Sequence, residues 1–166
     1  MTSISATRSP ARDLTALTVS LALCFAVAGL GGYWTAQGLG PWYEGLRRPS
    51  WTPPNWVFGP VWTALYVSMA LAAWPVWRRQ GFFEARFPLG LFGLQLALNL
   101  AWSGVFFALR RPGLAFGEIL LLWATILATL LAFGRVSRVA GWLLAPYLAW
   151  VTFAVALNLA IWRLNG

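Results

Sequence analysis

Residues 49–66 read PSWTPPNWVFGPVWTALY, and this stretch decides the fold. It holds Trp51, Trp56, Trp62 and Tyr66 among prolines 49, 53, 54 and 60, without a single charge. Pro53 and Pro54 each fix φ and remove a backbone donor, which forbids a helix across them. Pro54 also drives Pro53 toward an extended shape. Beyond Val57 the breakers thin out and an apolar helix can run. The segment is therefore a stiff, aromatic loop feeding an apolar helix. Tryptophan and tyrosine offer a flat apolar body with one polar handle. Such a loop either sits at a membrane interface or covers a flat aromatic ligand, and both uses are compatible here.

Composition sets the class. The 166 residues are 60% hydrophobic and 10% charged, whereas a soluble domain carries about 25% charged residues. A helix crossing a bilayer needs roughly 20 apolar residues. The charges leave room for five: the spacing predicts helices over 14–39, 57–79, 87–109, 113–134 and 139–163, with a lid-like loop over 40–56. The expected architecture is an all-α, multi-pass integral membrane bundle of five transmembrane helices, 14–166, preceded by a disordered tail over 1–13. The first apolar run follows Arg8 and Arg12 as a signal peptide would, but it is too long and Ala36-Gln37-Gly38 is a poor cleavage context.

The net charge of +8 comes from arginine alone, with no lysine. In a soluble chain it would suggest nucleic-acid binding. Here Arg47, Arg48, Arg78, Arg79, Arg110, Arg111, Arg135, Arg138 and Arg163 all flank helix ends, where they can snorkel to lipid phosphates. No nucleic acid is expected as a partner; the bilayer is. The side carrying the N-terminus and the second and fourth loops has seven arginines and the other side five, a small bias toward a cytoplasmic N-terminus.

Cys24 is the single cysteine, so no internal disulfide can form, and the chain has no histidine. Histidine-ligated haem, histidine-bound zinc, Ser-His-Asp triads and Cys-His pairs are thereby excluded. No metal site and no obligatory cofactor is expected.

Residues three and four apart share a helix face. Trp62, Tyr66, Met69 and Ala73 form one stripe; Gln95, Asn99, Trp102 and Phe106 a second; Tyr147, Trp150, Ala154 and Asn158 a third. Polar groups within a membrane face the bundle interior. The stripes should converge on an apolar, aromatic-walled cavity with a few hydrogen-bonding groups, the chemistry of a ligand site. A second reading stands beside this one: Asn99 and Asn158 can instead join helices by hydrogen bonds as packing glue. Trp74, Trp77, Trp142 and Trp162 lie near span ends and read as interface anchors. Glu118 has three readings: paired with an arginine, placed at a helix N-terminus, or protonated. Gly90 and Gly93 are small positions on the third span, and Gly90, Ala97 and Ala101 suit an intramolecular seam or a homodimer face.

The motifs Trp42-Tyr43-x-x-Leu46, Pro49-Ser50-Trp51-x-Pro53-Pro54-x-Trp56-Val57-x-Gly59-Pro60-Val61-Trp62 and Leu65-Tyr66 resemble the tryptophan-rich sensory protein / translocator protein family (TspO/TSPO). The likeness continues through Pro88-Leu89-Gly90-Leu91, Gln95 to Asn99, Trp102, Phe106-Phe107, Pro146 to Trp150, Leu157-Asn158 and Trp162-Arg163, covering nearly the whole chain. The resemblance implies a dimeric five-helix bundle whose first loop closes a pocket. It implies tetrapyrrole ligands, protoporphyrin IX and haem, bound by Tyr43, Trp62, Tyr66, Asn99, Trp102, Trp150 and Ala154, to which the stripe on the third span adds Phe106. Arg47, Arg48, Trp51, Pro53, Pro54 and Trp56 would form the lid. It implies a receptor or sensor in porphyrin homeostasis and stress response, with porphyrin transport, or light-dependent porphyrin degradation through Trp62 and Trp150, as alternatives. The family's sterol-recognition stretch wants a tyrosine where this chain has Leu159, which weakens the case for a sterol ligand. A bacterial cell membrane, inner or outer, is the expected location.

Overall fold

A computed structural model describes residues 10–166, and side chains from Asp13 onward. Most of the expected N-terminal tail, residues 1–9, lies outside the described residues; residues 10–13 already belong to the first helix. The elements are α1 (Pro10–Gly38), α2 (Pro41–Gly45), α3 (Asn55–Glu84), α4 (Arg86–Ser103), which runs on as a π-helical turn over Gly104–Ala108, α5 (Pro112–Val136) and α6 (Arg138–Asn165). Five stretches are long and apolar enough to span a bilayer: Asp13–Gly38, Asn55–Glu84, Arg86–Ala108, Pro112–Val136 and Arg138–Asn165. The protein is an all-α, five-span membrane bundle. Lipid offers no partner for a free backbone group, so each crossing segment must be helical.

Local chemistry sets the boundaries. Pro54, extended at φ −57° and ψ 144°, precedes the first turn of α3. Pro112 opens α5, where its missing N–H costs nothing. The Ser137 hydroxyl accepts the Ala140 N–H at 3.5 Å and caps α6. Near the end of α3 the helix breaks at Gly81, with φ 79° and ψ 171°, a region open in practice only to glycine. Two expectations are corrected here. The span 40–56 is not loop throughout: Pro41 opens the short helix α2 within it. The helix of the second span begins at Asn55 rather than 57, directly after Pro54, whose carbonyl accepts the Val57 N–H at 3.0 Å in the first turn.

Around the bundle the order is α1, α3, α6, α5, α4 and back to α1. The end of the bundle away from α2 is solid. Met69, Ala70, Ala73 and Val76 of α3 are buried there with Leu96 of α4, Ile126 of α5 and Leu144 of α6. Phe92 stacks on Phe133, ring centroids 5.8 Å apart. The end beside α2 is different: a gap remains between the helices, and aromatic side chains line it.

Candidate functional site

The gap is a cavity of about 460 Å³ beneath α2 and the first loop, within the size range of small-molecule sites, ~300–1,000 Å³. Gly31, Gly32 and Thr35 of α1 form one wall, with Phe58, Trp62 and Tyr66 of α3 beside it. Asn99, Trp102, Phe106 and Phe107 come from α4 and its π-turn, and Trp150, Phe153, Ala154 and Leu157 from α6. The π-turn brings Phe106 and Phe107 into the same site; such turns recur at functional sites.

The aromatic rings hold one another in place. Trp102 stacks on Phe106 at 5.1 Å, and Phe106 meets Phe107 edge-on at 4.9 Å. Trp150 lies 5.9 Å from Phe58 and 5.6 Å from Phe153. Trp62 sits 5.7 Å from Tyr66 and 6.2 Å from Tyr147. Each pair is worth about 0.5–1.5 kcal/mol beyond its buried area, so the walls are preformed.

Two amides fix the depth. Tyr66 Oη donates to Asn99 Oδ1 at 2.8 Å, and Asn99 Nδ2 donates to Tyr147 Oη at 2.9 Å, tying α3, α4 and α6 together. Higher up, Trp102 Nε1 donates to Asn158 Oδ1 at 3.0 Å, while Asn158 Nδ2 donates to the Pro112 carbonyl at 2.8 Å. Both readings of these asparagines therefore hold at once: they line the cavity, and they join helices. The Tyr66–Asn99–Tyr147 bridge is the floor. Below it, Met69 and Gln95 are packed and do not line the cavity, and Tyr147, the far end of the bridge, is itself fully buried. The lower part of each sequence stripe is core, not site.

At the mouth, α2 carries Trp42 and Tyr43. The Arg48 guanidinium lies 4.9 Å over the Tyr43 ring, and Arg110 lies 5.9 Å from the Trp42 ring. Arg110 holds a left-handed backbone at φ 55°, uncommon for a residue with a side chain. Trp51 packs edge-on against Phe153 at 5.7 Å. The loop is fastened to the last turn of α6. The Arg47 N–H donates to Asn165 Oδ1 at 2.9 Å, and Asn165 Nδ2 donates to the Arg47 carbonyl at 2.9 Å and to the Ile161 carbonyl at 2.8 Å.

All eight residues expected to face a ligand, Tyr43, Trp62, Tyr66, Asn99, Trp102, Phe106, Trp150 and Ala154, line this one cavity. The residues expected to form a lid, Arg47, Arg48, Trp51, Pro53, Pro54 and Trp56, do not line it, and Trp56 is 75% exposed. Sequence reasoning missed Phe58, Phe107 and Phe153, which carried no periodic signal of their own, and Asn165. The arginine-paired reading of Glu118 is overturned: its carboxylate oxygens are buried, and neither has a hydrogen-bond or ion-pair partner among the described residues. Gly90, Gly93, Ala97 and Ala101 do not form a seam within the bundle, because they face outward.

Comparison with known proteins agrees with this architecture. The TspO/MBR family model matches residues 20–163. The chain is 41% identical over 158 residues to the tryptophan-rich protein TspO of Chlorobaculum tepidum, covering 93% of this chain and 98% of that protein. It is 48% identical over 126 residues to the translocator protein of Homo sapiens, 75% of each chain. It is 39% identical over 145 residues to the tryptophan-rich sensory protein of Cereibacter sphaeroides, covering 87% of this chain and 88% of that one. Five spans in this order, an aromatic cavity under a proline- and tryptophan-rich first loop, and a family match over nearly the whole length lead to one conclusion: the chain belongs to the TspO/MBR family.

Proposed function

We propose that this protein is a membrane receptor or sensor that binds a tetrapyrrole, protoporphyrin IX or haem, in the aromatic cavity. The observation that carries the reading is a one-ended cavity whose aromatic walls stand under arginines. A porphyrin is flat and apolar in its middle and anionic at its propionates. Trp62, Trp102 and Trp150 supply the walls, and Arg48 and Arg110 stand at the mouth, where charge-assisted hydrogen bonds to carboxylates are strong. The absence of histidine removes the usual axial ligand for haem iron, so free-base porphyrin and haem should bind comparably. Binding is favoured over transport because the Tyr66–Asn99–Tyr147 bridge and the packed core beneath it close the cavity at its inner end. A homodimer through the outer face of α4 belongs to the same reading, supported by the exposed Gly90, Ala97 and Ala101.

The test is quenching of tryptophan fluorescence by protoporphyrin IX in detergent, wild type against Trp150→Ala. Saturable quenching, weakened at least tenfold by the substitution (about 1.4 kcal/mol), supports the proposal. Unsaturable quenching, or equal affinity in the variant, refutes it.

A further inference from the structure

A second concavity lies at the opposite end of the bundle, where α5 ends and α6 begins. It is a groove of about 230 Å³ lined by Leu130, Gly134, Arg138, Gly141, Trp142 and Ala145, and it shares no residue with the aromatic cavity. Its origin is a close helix contact. A Cβ built on Gly141 would fall 3.0 Å from Gly134 Cα, so the two backbones touch with no side chain between them. Beside that contact the surface is hollow. Leu130 and Ala145 continue the hollow toward the middle of the spans, and Arg138 and Trp142 stand at its rim.

Charge at this rim is uncompensated. Arg78 pairs with Asp13 at 3.0 Å, and Arg79 donates to the Val136 carbonyl at 2.7 Å. No carboxylate pairs with the exposed Arg138 among the described residues. Trp142 is 77% exposed at the end of its span, the level where tryptophan meets lipid headgroups. The bilayer covers the sides of a five-span bundle, so the occupant of a lateral groove is lipid. We infer that this groove seats one anionic phospholipid, its phosphate on Arg138 and an acyl chain along Leu130, Gly134, Gly141 and Ala145. A basic residue near the membrane surface favours anionic lipid by roughly fivefold.

Native mass spectrometry of the full-length protein, supplied with equimolar phosphatidylglycerol and phosphatidylcholine, tests the inference. The wild type should retain one phosphatidylglycerol in about fivefold preference. Arg138→Gln, on an exposed side chain, should abolish the preference. Ala145→Leu, which fills the apolar part and keeps the charge, should lower retention of both lipids. Equal retention of the two lipids by the wild type, an intact preference in Arg138→Gln, or unchanged retention in Ala145→Leu would each overturn it. So would loss of the bound lipid on adding millimolar inorganic phosphate, which would place a free anion rather than a lipid at Arg138.

Discussion

Replacing Asn165 by alanine should loosen the lid without touching the cavity. The Asn165 carboxamide makes both a donor and an acceptor contact with the Arg47 backbone, each at 2.9 Å, across 118 residues of sequence. These bonds are neutral and exposed, so each contributes about 0.5–1 kcal/mol, the lower part of the usual range. Losing both shifts the open–closed balance of the loop by about 1–2 kcal/mol, a factor of roughly 5–30. Proteolysis reads this balance, because cleavage follows the population of the open form when opening is fast. The Arg47–Arg48 bond lies in the fastened segment and is a trypsin site, whereas the next bond is shielded by Pro49. Limited trypsin digestion of the ligand-free protein, with the cut mapped by mass spectrometry, should therefore show cleavage after Arg47 accelerated roughly 5–30-fold in Asn165→Ala. Cleavage at other arginines reports on other segments, so only the Arg47 product counts. An unchanged rate there would refute the idea that Asn165 holds the loop, and would leave Trp51 on Phe153 as its main fastening.

Two further outcomes follow from the same geometry. Asn99→Leu should leave the hydroxyls of Tyr66 and Tyr147 unpaired beneath the cavity, costing about 1–3 kcal/mol for each; thermal unfolding in detergent should show a drop clearly larger than that of Tyr66→Phe, and equal effects would argue against a shared bridge. Gly81→Ala should cost about 1–3 kcal/mol although nothing lies within 4 Å of the added carbon, because the penalty is backbone strain at φ 79°; a neutral result would mean that the end of α3 re-forms around the new residue.

The spans were legible because charge is scarce: each arginine or carboxylate at a helix end is a strong mark against an apolar background. The walls of the cavity were legible for a related reason. Trp62, Trp102 and Trp150, one on each of three helices, each stand at helical spacing from a tyrosine or asparagine whose polar group is better placed inside the bundle than against lipid. Where the cavity stops was not legible. A stripe such as Gln95-Asn99-Trp102-Phe106 runs on with the same period through site and core alike, and only the packing of Gln95 on Met69, away from the cavity, shows that Gln95 lies below the floor. The π-turn over Gly104–Ala108 left no mark either, since a π-turn inserts one residue without changing the residue types. The fastening of Arg47 by Asn165 depends on where two distant chain ends meet, which no local pattern encodes. Glu118 shows the opposite limit: its residue type invited a partner, and the described residues provide none.

The most direct test of the binding proposal fills the cavity. Ala154 lines it from α6, half-buried, so Ala154→Trp places a large ring in the ligand's space and leaves the lid, the floor and the arginines unaltered. Protoporphyrin IX titrated into the protein in nanodiscs should bind the wild type with one saturable site per chain. The variant, with an unchanged helical spectrum, should lose that site. Saturable binding of equal affinity in Ala154→Trp would contradict the proposal and place any tetrapyrrole elsewhere on the protein.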